Sequence, residues 1–181
     1  MLLISKDKFF VTGILALVDE NSFSNIHELM ILDCMPFIYV LNTNWFYCQR
    51  FEDPLTTILC CNSFLHRKNI KMNKLIKIVR GIHKKNKNYT LERITESELK
   101  VVNSLYNGDT QKIIASRLGR SEKTINSHKM AVLHKLGLNN LSMFYNLLHF
   151  WETVYPVLNK IKDVQSLYFY DEKSLYYDFD F

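Results

Sequence analysis

Glycine is scarce, five residues in 181, and no two lie close together. That leaves no glycine-rich loop to cradle a phosphate, which removes the P-loop and dinucleotide-binding classes. The four cysteines, Cys34, Cys48, Cys60 and Cys61, lack the paired CxxC spacing of a zinc site. With no secretion signal, reduced thiols in a cytoplasm are expected. Cys60-Cys61 reads as a buried strand pair, with redox sensing as the alternative. No run of eighteen apolar residues exists, so no membrane span is expected. Met1 to Asp7 is not a signal peptide pattern, because its charges follow a short apolar run. There is no carboxylate pair with a site around it and no nucleophile–base motif. The expectation is therefore a non-enzyme without cofactor or metal.

What is present is globular in composition: 48% hydrophobic and 23% charged. The charge is unevenly spread. Residues 1–65 carry three Lys/Arg against seven Asp/Glu, and residues 66–90 carry nine against none. Residues 91–153 carry eight against six, and residues 154–181 three against five. A basic belt between two acidic ends suits a polyanion partner or a solvated linker.

The stretch Ser121 to Gly137 reads as one amphipathic helix. Ser121 can cap its first turn, and Gly137 can take the left-handed conformation that ends it. Ile125, Val132, Leu133 and Leu136 recur at helical spacing on one face. The other face carries Lys123, Asn126, Ser127, Met130 and His134. Glu122 is the one acid nearby, at the N-terminal end where the helix dipole favours it. A face so poor in carboxylate suits a phosphate backbone and base edges.

Upstream, residues 2–5 read as a short strand. Phe9 to Val18 reads as a helix capped by Asp7, with Phe10, Ile14, Leu15 and Leu17 or Val18 inward. Ile26 to Leu32 is open between strand and helix. Pro36 to Thr43 is a strand. Trp45, Phe46 and Tyr47 pack from a loop or short helix. Thr57 to Cys61 reads as a strand, with a further short one at Ser63–His66. Met72 to His83 is a helix with Leu75, Ile76, Val79 and Ile82 inward and Lys71, Lys74, Lys77 and Arg80 outward. Alternating strands and helices imply a small α/β domain, residues 1–84, with a largely parallel sheet. Residues 85–90 read as a basic linker.

A second, all-α domain is expected over 91–154. Thr95-Glu96-Ser97-Glu98 is a capping box. Its helix runs to Tyr106 with Leu99, Val102 and Leu105 inward. Thr110 opens a second helix with Ile113, Ile114, Ala115 and Leu118 inward. Gly119-Arg120 makes a short turn into the helix at Ser121, which completes a helix-turn-helix unit. Ser142 to about Val154 is a fourth helix, apolar nearly all round, so a partner surface or a covering tail is expected. Pro156 interrupts it, and Tyr155 to Lys162 reads as a further short helix. The C-terminal extension, 155–181, is aromatic and acidic. Docking on the fourth helix or in a dimer interface is the expectation for it.

Thr95-Glu96-Ser97-Glu98-Leu99, Gly108 through Leu118 and Ser121 through Gly137 together resemble the LuxR/FixJ-type helix-turn-helix domain over about 60 residues. The pattern is T-x-x-E-L, G-x-x-x-K-x-I-A-x-x-L and S-x-K-T-I-x-x-H-x-x-x-V-x-x-K-L-G. The resemblance implies a four-helix domain whose third helix enters the major groove of promoter DNA. Base contacts fall on Asn126, Ser127, Met130 and Lys123. Phosphate contacts fall on Thr110, Lys112, Thr124, His128, Lys129, His134 and Lys135. His128 is equally readable as a structural histidine. Dimerisation through the fourth helix assigns Tyr145, Leu148 and Phe144. Two positions depart from the family: Gly119-Arg120, usually apolar, and Met130, usually polar.

Many members of the family carry a phosphorylated receiver domain in front. Pro36 to Asn42 looks like the strand ending in its phosphoacceptor aspartate, here Asn42, and its acidic pair is reduced to Asp7. The first domain is thus identified as a degenerate, truncated receiver-like domain. The function this implies is a cytoplasmic, nucleoid-associated bacterial transcription regulator, an activator independent of phosphorylation. It would act as a homodimer or a heterodimer with another regulator, with RNA polymerase as a further partner and no membrane. The alternative is an interaction protein that titrates another regulator, its DNA binding vestigial.

Overall fold

The computed structural model describes residues 1–21, 23, 26–49, 51–82, 94–167 and 175–177. The chain divides into two compact units. The first comprises Met1–Arg50, Ser63–Tyr89 and Pro156–Phe181, and the second Phe51–Asn62 and Thr90–Tyr155. The expected contiguous boundaries at 84, 91 and 154 are therefore interleaved. Residues 51–62 join the second unit, where the Asn62 amide donates to Lys135 O at 3.2 Å. The Tyr155 hydroxyl likewise donates to Phe51 O.

The first unit is built on a five-stranded sheet. Its strands are β1 (Leu2–Ile4), β2 (Leu29–Cys34), β3 (Phe37–Asn42), β4 (Leu65–Arg67) and β5 (Leu175–Tyr177), in the order β4-β3-β2-β1-β5. The helices are α1 (Lys8–Asn21), α2 (Thr43–Cys48) and α4 (Met72–Gly81), while α3 (Pro54–Cys61) belongs to the second unit. β2 and β3 are buried almost throughout, the mark of strands covered on both faces. The sheet is mixed, not largely parallel. β1 pairs in parallel with β2 and β5, while β2–β3 and β3–β4 are antiparallel. The cause is local: only Met35 and Pro36 separate β2 from β3, and a parallel return needs a crossover of about a dozen residues. α1 is such a crossover, and it joins the parallel pair β1–β2.

Asp7 does cap α1, its Oδ1 accepting from Phe9 and Phe10 N–H at 3.0 and 3.1 Å. The buried stripe of α1 is Val11, Ile14 and Leu17, with Leu15 at 38% exposure. The segment 26–32 resolves into a short 3-10 turn at Ile26–Glu28 followed by β2. The tail contributes β5, which pairs with β1.

The second unit holds α3 (Pro54–Cys61), α5 (Glu96–Tyr106), α6 (Gln111–Leu118), α7 (Glu122–Lys135) and the start of α8 (Leu141–Leu167). α3 replaces the strand expected at Thr57–Cys61. Its β-branched residues favour a strand, but Asp53 Oδ1 accepts from Thr56 N–H at 2.8 Å and Pro54 stands at the first helical position. Cap and proline together outweigh weak propensity. Likewise α8 continues past Pro156, where a break was expected. Its buried stripe Trp151, Val154, Leu158 and Ile161 keeps helical spacing across the proline, and tertiary burial overrides the lost backbone bond.

Val101, Leu105, Ile114, Ala115 and Ile125 form the core of the second unit, with Leu118 and Leu141 packed against it. Leu99 and Ile113, expected inward, are 38% and 47% exposed. On α5 the buried stripe takes in Glu98 and Val101 in place of Leu99, and on α6 it narrows to exclude Ile113. The stripe is thus Glu98, Val101, Val102 and Leu105 on α5, and Ile114 and Ala115 on α6.

Candidate nucleic-acid interface

The site begins with capping. The Thr95 hydroxyl accepts from Glu98 N–H at 3.3 Å, and Glu98 Oε2 accepts from Thr95 N–H at 2.7 Å, a closed capping box at the start of α5. Thr110 caps α6, its hydroxyl accepting from Ile113 N–H at 3.3 Å. Ser121 caps α7, its hydroxyl accepting from Thr124 N–H at 3.1 Å. Between α6 and α7 the chain turns at Gly119, whose φ of 60° is the left-handed conformation. Arg120 N–H then reaches back to Ala115 O at 3.0 Å. A side chain at Gly119 would strain this turn although nothing crowds it. Gly137, at φ 67°, closes α7 in the same way, with Leu138 N–H bonded to Leu133 O at 2.8 Å.

α7 is thereby held by its apolar face. Ile125, Val132 and Leu133 are buried at 2% or less. Removing a side chain of this kind from a core costs roughly 2–5 kcal/mol. The opposite face is open: Lys123, Asn126, Ser127, Met130 and His134 are exposed, and Met130 reaches 47%. They follow one another at steps of three and four residues and so form one stripe. Thr124, His128 and Lys129 are half-buried at its edge. The Ser127 hydroxyl donates back to Lys123 O at 3.0 Å. Lys112 on α6 is exposed, as is Thr110.

Lys135 belongs elsewhere. Expected on phosphate, it is drawn into an ion pair whose ammonium lies 2.7 and 3.0 Å from the Glu98 carboxylate oxygens. Glu98 is 5% exposed. Burial pushes its carboxyl pKa up, but the Lys135 ammonium and the Thr95 hydrogen bonds outweigh burial and leave it below the ordinary glutamate range. This pair joins α5 to α7. Sequence reading placed Glu98 in the capping box and missed the pairing, since 37 residues separate it from Lys135. Arg117 is similarly engaged by Asp109, with Nη1–Oδ2 at 2.5 Å and Nη2–Oδ1 at 3.2 Å.

Of the three residues assigned to a dimer interface, Phe144 and Leu148 are 1% and 4% exposed, packed within the chain. Tyr145 is 39% exposed, and its hydroxyl donates to Leu105 O at 3.1 Å. A second copy could meet Tyr145 but not the other two as they stand.

The first unit carries a charged cluster that sequence reading missed. The Lys68 ammonium lies 2.6 Å from Asp33 Oδ2 and 2.9 Å from Asp7 Oδ2, and 4.6 Å from the centroid of the Phe10 ring. The Ser5 hydroxyl donates to Asp33 Oδ2 at 2.6 Å. Burial depresses the Lys68 pKa, yet the hydrogen bonds its ammonium donates to Asp33 and Asp7 more than offset it and leave it raised. The Lys68 hydrogen bond holds Asp7 below the usual carboxylate range. Asp7 is thus not the lone carboxylate expected after β1. The available signal was Asp33 itself, a single acid inside the apolar run of β2, which has to find a partner when buried. Asn42, at the end of β3, caps α2 by accepting from Trp45 N–H at 2.8 Å and donates to Glu28 Oε2 at 3.1 Å.

Cys34, Cys60 and Cys61 are poor nucleophiles. Burial, with Asp33 adjacent, pushes Cys34 up to about 12, and burial raises Cys61 and Cys60 as well. A protonated thiol reacts slowly, which weakens the redox alternative for Cys60-Cys61. Cys60-Cys61 lies on α3, not on a strand. Among the described residues no helix is long and apolar enough to cross a membrane.

Comparison with curated proteins and with solved structures gave no match for the chain. Residues 92–148, which contain α5, α6 and α7 with their caps and the first turns of α8, match the family model of bacterial regulatory proteins of the luxR family, GerE, a match that supports a DNA-binding transcription regulator.

Proposed function

We propose that this chain is a sequence-specific DNA-binding transcription regulator that inserts α7 into the major groove of promoter DNA. One observation carries the reading: the exposed stripe Lys123, Asn126, Ser127, Met130 and His134 offers cations and hydrogen-bonding groups without a carboxylate. Asn126, Ser127, Met130 and Lys123 face base edges. Thr110, Lys112, Thr124, His128, Lys129 and His134 flank them toward the phosphates. Lys135 serves the α5–α7 joint instead. The protein works as a homodimer or with a related regulator, with Tyr145 as the exposed contact of the assigned three, and acts as an activator that meets RNA polymerase at the nucleoid.

The first unit retains a receiver-like origin in the parallel β1–α1–β2 crossover, with Asp7 and Asp33 near the ends of its two strands. Independence from phosphorylation is supported by Asn42, an amide committed to a cap, and by Asp33, whose side chain is 4% exposed and bound through Oδ2. Incubation with acetyl phosphate followed by intact mass measurement tests this point. A stable increase of one phosphoryl group would contradict it.

The test of the main reading is fluorescence anisotropy of labelled promoter duplex against salt. Binding that falls steeply with salt supports it, because neutralised phosphates release counterions. Absence of salt-sensitive binding to any fragment, alone or with a partner regulator, overturns it.

A second reading draws on Phe9, 92% exposed at the start of α1, and Met35, 67% exposed in the β2–β3 turn. They suit an interaction protein that titrates another regulator. The double variant Lys123→Ala/Asn126→Ala separates the two, since regulation in the cell persists under titration and disappears under DNA binding.

A further inference from the structure

We infer that α7 reads a short A·T-containing step through two side chains one helical turn apart, Asn126 on an adenine edge and Met130 on a thymine methyl. The inference rests on the proposal that α7 is the groove-entering helix, and it names the base chemistry that helix selects.

An isolated exposed apolar side chain needs no explanation by itself. Met130 differs because of what surrounds it. It is 47% exposed in the middle of the polar stripe, three residues after Ser127 and four after Asn126. The Ser127 hydroxyl spends its proton on Lys123 O inside the helix at 3.0 Å. The Thr124 hydroxyl lies 2.9 Å from Ser121 Oγ at the cap. The Ser127 oxygen is thus left as an acceptor only, and telling an adenine edge from a thymine methyl falls to the Asn126 amide and the Met130 thioether.

Each has a distinct counterpart in the major groove. The amide of Asn126 offers a donor and an acceptor side by side, which matches N7 and the exocyclic amine of adenine. The side chain of Met130 offers neither, and the thymine 5-methyl is the apolar group displayed there. A flexible, polarisable thioether adapts well to such a contact. Four residues of helix advance about 6 Å. Base pairs follow at about 3.4 Å. The adenine and the thymine methyl therefore lie within about two base pairs of each other.

The experiment uses the full chain. Fragments are enriched from a random duplex pool with the wild-type protein, and each thymine in the enriched fragment is then replaced in turn by deoxyuridine, which removes only the methyl. Affinities are measured at one fixed salt concentration for wild type, Met130→Ala and Asn126→Ala. Expected is one thymine whose replacement weakens the wild type about 3–5-fold, the amount that burial of a single methyl supplies. Met130→Ala should lose about as much on the thymine duplex and become indifferent to that replacement. Asn126→Ala should lose its preference at an adenine within two base pairs of the same position. Met130 lies on the surface, and far-UV circular dichroism checks that its variant is folded. A wild type indifferent to every thymine methyl, or a Met130→Ala protein that keeps the sensitivity, overturns the inference and leaves DNA binding standing. Enrichment of no fragment overturns the proposed function itself, and the inference with it.

Discussion

Each unit holds a partly buried lysine by carboxylates, Lys68 in the first and Lys135 in the second, and the two clusters use their oxygens differently. At Glu98 both oxygens accept from the Lys135 ammonium, and Oε2 also accepts from Thr95 N–H. One charge meets one charge. At Asp33 only Oδ2 is engaged, by Lys68 and Ser5, while Oδ1 is buried without a hydrogen bond among the described residues. Two carboxylates there share one ammonium. The saturated cluster acts as a joint between α5 and α7. The unsaturated one carries a standing penalty, since a buried acceptor left unpaired costs about 1–3 kcal/mol.

The comparison breaks most readily at Lys68. Lys68→Met strands the buried Asp33 opposite Asp7, and a loss of roughly 3–5 kcal/mol is expected at neutral pH. Urea unfolding followed by Trp45, in a Trp151→Phe background, measures the loss. A variant as stable as that background would mean the cluster does not hold the first unit together.

Next is Glu98→Gln. It keeps an oxygen for Thr95 N–H but loses the charge facing Lys135. A loss of roughly 1–3 kcal/mol is expected in the second unit, read by Trp151 in a Trp45→Phe background. The same pair predicts the acid limb of wild type. Glu98 has a lowered folded pKa, so its contribution is present above its ordinary value of 4.5 and is lost as pH falls through the lower folded value. Glu98→Gln should flatten that limb. An unchanged acid limb would remove the pair from the account.

The smallest effects separate two lysines of α7. Lys135→Met should weaken the fold by roughly 1–3 kcal/mol and leave the salt slope of DNA binding unchanged. Lys129→Ala should change stability by less than about 0.5 kcal/mol and lower the salt slope by about one. The reverse pattern would return Lys135 to the phosphate backbone.

How much of this was legible in the sequence follows from how far apart the partners lie. Thr95 with Glu98, Thr110, Ser121, Gly119 and Gly137 act on neighbours within a turn or two, and their caps stand where the residues placed them. The exposed stripe of α7 was readable for the same reason. The pairing of Lys135 with Glu98 was not legible because its partner lies 37 residues away. Asp33 was passed over because Ser5 and Lys68 lie 28 and 35 residues from it. α3 was misread because β-branched residues outweighed a cap and a proline that were both in view. The sheet was taken as parallel although a two-residue connection at Met35-Pro36 forces a hairpin. The pairing of β5 with β1 joins the two ends of the chain, and no local pattern announces it.

The central claim is that α7 presents to DNA a face whose one carboxylate is Glu122 at its N-terminal end. The most direct measurement is the salt dependence of full-chain binding to duplex selected by the wild type, compared with Lys123→Ala/Asn126→Ala. The account predicts a linear fall of log affinity with log salt for wild type, and weakened, sequence-indifferent binding with a shallower slope for the double variant. Equal affinity, selectivity and slope for the two proteins would contradict it.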